Sequence, residues 1–460
     1  MKYFIICGEA SGDLHASHLI SALRQRDRNA RFRFFGGDLM AAAAGHRGTL
    51  LRHYSTLAYM GFVQVLLHAG TILRGMRECK RAMTEWKPDC IILVDYPGFN
   101  LRMAKFAKDT ALCPVVYYIP PKIWAWKAYR IRQIRRYVDC VLSILPFEEE
   151  YYREKHNYEV HYVGNPTYDE IAAHLAEGGR DITHIETYGQ AGRPPADIIA
   201  LLPGSRRQEI TANLPVMLKA VAQLQDEHVK RPFTIFVAAA PNTDEALYAQ
   251  LIAKHAHGVR VDLWKRNVYD LLLAARVALV TSGTATLETA ILDVPQVVCY
   301  HIRGGRFVNW VRPYFLKCPY ISLVNLIAAR EVVPELIAAD MTPRCLHDHL
   351  QAIVDGNERE RMLRGYAEMR ERLGAVGAPE AAANTSSASC GMTSQAGNDP
   401  CGYMAYCRDF LKQTSFNTHK DHARTLHTFC TDAPQCQVHQ SAARSSLHLG
   451  QRMALTLLLR

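Results

Sequence analysis

Residues 201–210, LLPGSRRQEI, combine an apolar strand, a tight turn and the start of a helix, which is an arrangement that binds anions. The free amides of a helix start face outward at the positive end of the helix dipole, where phosphate oxygens can accept their hydrogen bonds. Arg206 adds a guanidinium fork whose geometry suits phosphate. An ordinary strand-to-helix turn with a solvated arginine is the alternative, and the pattern favours anion binding.

Residues 280–295, VTSGTATLETAILDVP, repeat this arrangement in the same half of the chain. Ser282 and Thr284 flank the glycine that closes the strand, and Glu288 follows about one helical turn later. A carboxylate at that position can accept two hydrogen bonds from ribose hydroxyls, as the acidic residue of dinucleotide folds does. A carboxylate that only complements the helix dipole is the alternative. Two phosphate-type turns in one domain predict a nucleoside diphosphate site.

Asp95, in LVDYPGFNLRMA, ends an apolar strand in the amino-terminal half and is expected to face a cleft, with Asn100 just beyond it. A carboxylate at such a strand end suits a general base that takes a proton from an incoming hydroxyl group. A helix cap or a turn acid is the alternative.

The segment GEASGD, residues 8–13, follows the first strand with two glycines, a serine and two carboxylates. It lacks GxGxxG, which argues against NAD binding, and the whole chain lacks the P-loop pattern GxxxxGK[ST]. It is not GxSxG either, so Ser11 is not expected to be a nucleophile. We predict a substrate-facing lip in which Ser11 donates to phosphate or sugar, while Glu9 and Asp13 orient sugar hydroxyls or cap a helix.

The stretch YYIPPKIWAWKAYRIRQIRRYVD, residues 117–139, interleaves aromatic side chains, among them Trp124 and Trp126, with lysine and arginine. This mixture fits an anionic lipid surface or a phosphorylated amphiphile. Stacking on nucleic acid bases and a solvated basic helix face are the alternatives.

Residues 54–73, YSTLAYMGFVQVLLHAGTIL, carry no Asp, Glu, Lys or Arg. Two interior glycines, a glutamine and a histidine argue against a helix that spans a membrane. An ordinary core helix and a surface helix that dips into a bilayer both fit the pattern. The side chains expected to reach acyl chains follow helical spacing and include Met60, Val63, Leu66 and Leu67.

Short apolar strands alternate with helical patterns along most of the chain, which predicts α/β domains with parallel sheets covered on both faces. We predict two doubly wound, Rossmann-like domains that face an inter-domain cleft. Ligands in such sheets lie beyond the carboxyl ends of the strands. The expected boundaries are a first domain over 1–172, a linker over 173–196, a second domain over 197–383 and an atypical, low-order tail over 384–460.

The 460 residues carry a formal net charge of +10, which predicts anionic partners such as phosphorylated substrates, nucleic acid or anionic lipid. The 13 cysteines are scattered, many within apolar runs, and no CxxC or zinc spacing occurs, so free thiols in a reducing compartment are expected. The first residues do not read as a signal peptide. His15 and His18 lie one helical turn apart without an evident third ligand, so no metal site is predicted.

The order in which eight motifs occur resembles the lipid A disaccharide synthases, the family 19 glycosyltransferases of the two-domain GT-B fold. Each motif is weak by itself, but their joint order is specific and covers about residues 1–383. The motifs are GEASGD at 8–13, VDYPGFN at 94–100, IPPKIWAWK at 119–127, LPFEEEYY at 145–152, VGNP at 163–166, LPGSR at 202–206, TSGTATLE at 281–288 and VNLIAAREVVPEL at 324–336.

This resemblance implies transfer of 2,3-diacylglucosamine from UDP-2,3-diacylglucosamine to the 6-hydroxyl of 2,3-diacylglucosamine 1-phosphate, with inversion and without a metal or cofactor. Asp95 would take the acceptor's proton. The acyl chains would meet the 54–73 segment and the tryptophans, at the cytoplasmic face of the inner membrane. No nucleic acid partner is implied, and a homodimer is among the assemblies allowed. The residues implied to hold UDP are Arg206, Ser282, Thr284 and Glu288, with Asn325 near the same site.

The chain departs from the family pattern after residue 383, where a tail rich in Cys, His and Ser stands in place of a helical segment that returns to the first domain. Rival interpretations are another UDP-sugar enzyme of the same architecture, such as a UDP-N-acetylglucosamine 2-epimerase, and a non-catalytic UDP-sugar or lipid-binding protein. Dependence on acyl chains and turnover would separate them.

Overall fold

The computed structural model describes residues 1–56, 69–178, 197–228, 232–241, 243–300 and 319–391. The amino-terminal half forms a seven-stranded sheet in which each strand is parallel to its neighbours. Its strands are β1 Lys2–Ile6, β2 Arg31–Gly36, β3 Gly48–His53, β4 Cys90–Val94, β5 Val115–Tyr118, β6 Cys140–Ser143 and β7 His161–Tyr162. Their spatial order is β3-β2-β1-β4-β5-β6-β7.

Helices connect these strands and cover both faces of the sheet. They are α1 Ala10–Arg26, α2 Asp38–Ala44, α3 Ala69–Trp86, α4 Pro97–Asp109, α5 Ile131–Tyr137, α6 Pro146–His156 and α7 Pro166–Ala176. Single turns of 3₁₀ helix occur at Gly45–Arg47, Tyr54–Thr56 and Ala128–Arg130.

The carboxyl-terminal half forms a second, six-stranded parallel sheet. Its strands are β8 Ile198–Leu202, β9 Thr234–Ala238, β10 Val261–Trp264, β11 Ala275–Thr281, β12 Gln296–Tyr300 and β13 Glu335–Ile337, in the order β10-β9-β8-β11-β12-β13. The helices described after α7 are α8 Arg207–Glu227, α9 Glu245–His255, α10 Val268–Ala274, α11 Thr284–Ile291, α12 Leu323–Ala328, α13 Pro343–Val354, α14 Asn357–Leu373 and α15 Ala378–Ser389.

The central strands are buried on both faces, which is why their sequences are continuous apolar runs. Successive residues of β1 point to opposite sides of the sheet. Tyr3 and Ile5 enter one hydrophobic cluster, and Phe4 and Ile6 enter another. Helices must therefore pack on both faces, and the α/β fold class predicted from the sequence is confirmed.

Each sheet has a point at which its strand order reverses. In the first sheet it lies between β1 and β4, and in the second it lies between β8 and β11. Loops at such a switch point diverge and leave a crevice at the carboxyl ends of the strands, where ligands bind. The four motif segments with candidate chemistry follow these strands: residues 8–13, 95–100, 203–206 and 282–288.

Helix α15 returns to the first sheet, which corrects the expectation that order ends at residue 383. The helix continues to Ser389 and packs against α1. Ala382 is buried in the cluster beneath the first sheet, and Ser387 is fully buried with its Oγ 3.5 Å from the hydroxyl of Tyr3. Small side chains allow α15 and α1 to approach closely. Because several of these side chains are polar, the sequence alone predicted a low-order tail here.

The other expected boundaries fall near helix ends. Helix α7 continues to Ala176, so the expected linker over 173–196 begins inside a helix, and its residues 179–196 lie outside the described part of the chain. The expected tail from residue 392 onward also lies outside it. Among the helices that the structure describes, none has the length and apolar character needed to cross a bilayer.

Candidate functional site

Asp95 follows β4 in a strained backbone conformation. Asp95 and Tyr96 both have φ of 46°, in the left-handed region that residues other than glycine rarely adopt. The carbonyl oxygen of Asp95 accepts hydrogen bonds from Nδ2 of Asn100 at 2.7 Å and from the hydroxyl of Tyr117 at 2.7 Å. Two buried side chains therefore fix the backbone that carries the candidate base.

The carboxyl group of Asp95 is partly buried and has cationic neighbours. Burial raises its pKa above the ordinary value for aspartate, and the positive charges of Lys122, His15 and Arg130 and the amide of Tyr96 act in the opposite direction. A carboxylate with a raised pKa is a stronger proton acceptor than a solvated one, which suits a general base.

The GEASGD segment is mostly the first turn of α1, not the loop that its glycines suggested. Glu9 is the N-cap residue and the helix begins at Ala10, so Ser11 lies exposed in the first turn. Gly8 is required for a different reason: a Cβ there would lie 2.3 Å from the ring of Tyr96. The glycine thus lets the loops after β1 and β4 approach each other.

Asp13 is a structural acid, as one of the two sequence-based alternatives proposed. It is buried, and its carboxylate accepts hydrogen bonds from the backbone amides of Gly37, Leu39 and Met40 at 2.7 to 3.2 Å. These amides lie at the start of α2, so Asp13 satisfies the free donors of that helix.

Glu9 lies between residues of the two domains. Burial raises the pKa of its carboxyl group, the negative charge of Asp95 raises it further, and the positive charge of Arg206 lowers it. The electrostatic interaction with both side chains indicates that Glu9 lies near Asp95, which follows the first sheet, and near Arg206, which follows the second.

The turn after β8 carries an internal anion in this structure. Oε2 of Glu209 accepts from the amide of Ser205 at 3.1 Å and from the amide of Arg206 at 3.4 Å, and Oε1 lies 3.4 Å from Nη1 of Arg206. Gly204 has φ of 121°, and a Cβ there would clash with the Glu209 side chain. The predicted anion position at the start of α8 is therefore chemically suited to a carboxylate. Glu209 had no predicted role from the sequence, although a glutamate three residues after the N-cap is a known capping signal.

The turn after β11 presents the start of α11. Oγ of Ser282 donates to the carbonyl oxygen of Ile321 at 3.2 Å, and Thr284 is exposed as the first helical residue. Both residues predicted for phosphate contact therefore lie at the carboxyl edge of the second sheet.

Glu288 lies one turn further along α11 and is half-buried. Burial raises its pKa to about 7, and the negative charge of Glu170 contributes to this rise, whereas a hydrogen bond with Thr284 and the charge of His15 lower it. Because Glu170 and His15 belong to the first domain, Glu288 lies where the two domains meet.

Asn325, which is expected near the UDP site, has its side-chain hydrogen bonds within the protein. It is fully buried; its Nδ2 donates to the carbonyl of Val333 at 2.8 Å and to Oε1 of Glu335 at 2.9 Å. Its Oδ1 accepts from the amides of Val332 and Val333 at 2.8 and 3.0 Å. All its polar atoms are therefore used within the protein, and we assign Asn325 to the support of the loop between α12 and β13.

The two tryptophans expected at an acyl-chain surface have different environments. Trp124 is only 8% exposed; its Nε1 donates to Oε1 of Glu148 at 2.8 Å and its ring packs edge-on against Phe147. This burial corrects the expectation of a surface role for Trp124. Trp126 is 56% exposed, and Nζ of Lys127 lies 4.1 Å from its ring centroid. The remaining residues of that prediction, Met60, Val63, Leu66 and Leu67, lie outside the described residues.

No cluster of three or more His, Cys, Asp or Glu side chains that could hold a metal ion occurs within the described ranges. His15 and His18 both face Glu170 instead, at 3.1 and 4.0 Å from its Oε1.

Comparisons with known proteins identify similar chains. Residues 3–384 match the model of a family described as lipid-A-disaccharide synthetase. A lipid-A-disaccharide synthase from Myxococcus xanthus is 38% identical over 387 residues, which cover 84% of this chain and 96% of that protein.

Solved structures share the fold at low sequence identity. The S. aureus MnaA-UDP co-structure has a TM-score of 0.57 at 13% identity and covers 82% of this chain and 94% of its own. A UDP-GlcNAc 2-epimerase from Neisseria meningitidis, bound to UDP-GlcNAc, has a TM-score of 0.55 at 13% identity, with 85% and 99% covered. These likenesses establish the fold alone.

Proposed function

Since the chain belongs to the lipid-A-disaccharide synthetase family, we propose that it transfers 2,3-diacylglucosamine from UDP-2,3-diacylglucosamine to the 6-hydroxyl of 2,3-diacylglucosamine 1-phosphate. The products are UDP and the β-1,6-linked disaccharide 1-phosphate of lipid A. The observation that carries the proposal beyond the family match is the position of Asp95 and Arg206, each after a strand at the switch point of its sheet, with Glu9 interacting electrostatically with both.

In this reaction Asp95 accepts the proton of the acceptor's 6-hydroxyl while that oxygen attacks the anomeric carbon and UDP leaves from the opposite side. The bond to UDP breaks as the new glycosidic bond forms, so the configuration inverts. The raised pKa of Asp95 and its fixed backbone support this role. Positive charge develops on the sugar in the transition state, as in glycoside hydrolysis.

The second domain binds the nucleotide in our proposal. Arg206 and the turns before α8 and α11 would hold the diphosphate, with Ser282 and Thr284 as hydroxyl ligands and Glu288 on the ribose. Fixed amides and a guanidinium stabilise the negative charge that develops on departing UDP. Ser11, exposed at the start of α1, would donate to the sugar or a phosphate. The Glu209 carboxylate occupies the amides near Arg206, so the diphosphate would take over its hydrogen bonds.

We expect this reaction to take place at the cytoplasmic face of the inner membrane, to which the protein binds peripherally, because both substrates carry acyl chains. Exposed Trp126 with Lys127 and Arg130 near its ring, and exposed Tyr129, support a docking surface of the type that meets anionic lipid. A homodimer remains a prediction from the family resemblance.

The proposal is tested by measuring turnover of the purified protein with the two substrates in detergent and without added metal. Release of UDP coupled to disaccharide formation is the expected result. Epimerisation of UDP-N-acetylglucosamine without any need for acyl chains would contradict the proposal. Saturable UDP binding without product from the two acylated substrates would contradict it as well.

A further inference from the structure

A basic cavity of about 590 Å³ lies at the side of the first sheet that ends in strand β3. Small-molecule sites usually measure about 300 to 1,000 Å³, so its volume suits a compact ligand. The lining belongs to β2, β3, the segments just before these strands and the end of α3, and none of it lies in a family motif. Its polar and aromatic side chains include Arg31, Arg33, His46, Arg47, Thr49 and Trp86.

The basic cavity lies at the opposite end of the strands from the proposed reaction site. Its lining residues 29–33 and 46–49 precede β2 and β3 or belong to the first half of each strand. Asp95, in contrast, follows the last residue of β4. Because these strands are parallel, their starts lie along one edge of the sheet and their ends along the other. A ligand in the basic cavity would therefore be distinct from a substrate beside Asp95.

Strand β2 presents two arginine side chains to the basic cavity. Arg31 and Arg33 are two residues apart in the strand, so both side chains point to the same face of the sheet. Thr49 is paired with Arg33 across the neighbouring strand β3, which places its hydroxyl group on that face as well. Two guanidinium groups and a hydroxyl group can all donate hydrogen bonds to the oxygens of a phosphate.

Neither arginine is neutralised by a carboxylate in the part of the chain that the structure describes. Arg31 is exposed and forms no ion pair there. Arg33 is half-buried and makes a cation–π contact, in which its Cζ lies 5.3 Å from the centroid of the Trp86 ring. The hydrogen-bond donors of both guanidinium groups are therefore left for a ligand.

The carboxylates that are close to the basic cavity along the chain have partners of their own, and no Asp or Glu is among its lining residues. Asp27 lies 2.5 Å from the amino terminus, and Glu85 lies 3.8 Å from Arg81. Asp89 accepts a hydrogen bond from a backbone amide at 2.8 Å. The excess of positive charge in the lining thus favours an anionic ligand.

Two walls of the basic cavity are held by contacts within the protein. Nη1 of Arg47 donates to the carbonyl oxygen of Arg28. The ring of Trp86 lies 6.3 Å from that of Phe4, and the carbonyl oxygen of Trp86 accepts from Nζ of Lys2 at 3.2 Å. A lining that is already ordered loses little conformational freedom when a ligand binds.

We propose that the basic cavity is a second anion site, in which Arg31 and Arg33 bind the phosphate group of a soluble phosphorylated small molecule and Thr49 donates a further hydrogen bond. A recess of this volume fits a compact molecule, whereas a bilayer presents a broad surface. The inference goes beyond the proposed function and does not depend on it.

The test measures binding of inorganic phosphate to the full chain by calorimetry at low ionic strength, where charge interactions are least screened. UDP is present in excess to occupy the nucleotide site. We expect saturable binding that Arg31→Gln and Arg33→Gln each weaken about tenfold, because each variant loses a charge-assisted hydrogen bond. The double variant should show no measurable binding. Arg344→Gln removes an exposed arginine at the start of α13, and this matched control should bind as wild type does.

Trp86 supplies a readout that is local to the basic cavity. Phosphate should change the tryptophan fluorescence of the wild type, because the bound anion shifts the guanidinium group of Arg33 over the indole ring. Trp86→Phe should still bind phosphate in calorimetry but lose this fluorescence change. A fluorescence change that persists in Trp86→Phe would place the bound phosphate elsewhere and contradict the inference.

Vesicles that contain phosphatidic acid distinguish a lipid headgroup from a free phosphate, since both carry the same anionic group. We expect the double variant to bind these vesicles as wild type does. Loss of vesicle binding in the double variant, without phosphate binding in the wild type, would assign the basic cavity to lipid and overturn the inference.

Absence of saturable phosphate binding in the wild type, or equal binding in the wild type and the double variant, would also overturn the inference. Circular dichroism checks that the variants fold. If Arg33→Gln does not fold, Arg31→Gln decides the matter, because Arg31 is exposed and unchanged phosphate affinity in that variant is equally contrary.

Discussion

Asp95 and Tyr96 adopt consecutive left-handed backbone conformations, each of which costs about 1 to 3 kcal/mol outside glycine. Buried groups around them offset this cost. Nδ2 of Asn100 lies 2.7 to 3.3 Å from three carbonyl oxygens at the ends of β1 and β4, and Gly8 leaves room for the Tyr96 ring. Strain that surrounding residues hold in place is typical of functional sites, which is why this position supports a catalytic role.

Glu148 allows a prediction about stability and pH. It is buried, accepts hydrogen bonds from Trp124 and Ser143, and has a pKa raised to about 7 by burial. Because the folded state holds this proton more tightly than the unfolded state, the stabilisation is complete below the unfolded pKa near 4.5 and is lost as the pH rises to about 7. The loss is at most about 3 kcal/mol of unfolding free energy.

Glu148→Gln should remove that part of the pH dependence, since glutamine does not titrate and can still accept from Trp124. Urea unfolding of wild type and variant at pH 5, 6 and 7 measures it. The exposed Glu154→Gln is the control and should keep the wild-type slope. Equal slopes for wild type and Glu148→Gln would show that the buried carboxyl does not bind the proton as described.

Helix α15 allows a prediction at the level of elements. A chain truncated after Gly391 keeps the whole helix, whereas one truncated after Ala383 loses the buried Ser386 and Ser387 and the contact of Asn384 with Arg26. The shorter chain should therefore melt at a lower temperature, by about 1 °C for each kcal/mol lost from a chain of this size. Equal melting temperatures for both truncations would contradict a stabilising role for residues 384–391.

The strands and the two strand-to-helix turns at residues 203–206 and 282–284 were predictable because buried parallel strands produce apolar runs and helix starts produce Gly, Ser and Thr turns. The directions in which individual side chains point were not predictable from the sequence. Trp124 and Trp126 lie two residues apart in an irregular segment, where no periodicity separates buried from exposed positions. Glu148 resembles its solvated neighbours in LPFEEEYY, and its burial depends on contacts with Trp124 and Ser143 that only the fold creates.

Contacts between segments that are far apart in the chain were also not predictable from the sequence. The pairing of His15 with Glu170 joins residues 155 positions apart. The end of the second domain crosses back to the first where Asp169 accepts from the amides of Gly377 and Ala378. The saturated hydrogen bonds of Asn325 could not be read from its position in VNLIAAREVVPEL.

The whole molecule is predicted to dock on anionic membranes through the surface around Trp126. Trp126→Ala should reduce cosedimentation with vesicles that contain anionic phospholipid, because it removes an exposed aromatic ring that Lys127 and Arg130 approach. Leu39→Ala, which truncates another exposed apolar side chain, is the matched control and should bind as wild type does. Equal reductions of vesicle binding in Trp126→Ala and Leu39→Ala, or no reduction in Trp126→Ala, would contradict this docking surface.

The proposed reaction requires Asp95 as a general base acting beside a nucleotide site on the second domain. The most direct measurement compares Asp95→Asn with wild type for disaccharide formation and, separately, for UDP binding. We expect a loss of turnover of about 100-fold or more with unchanged UDP affinity, because asparagine cannot take the acceptor's proton. Asp109→Asn, at an exposed helix end, is the control and should retain activity. Full turnover in Asp95→Asn with normal UDP binding would show that Asp95 is not the general base.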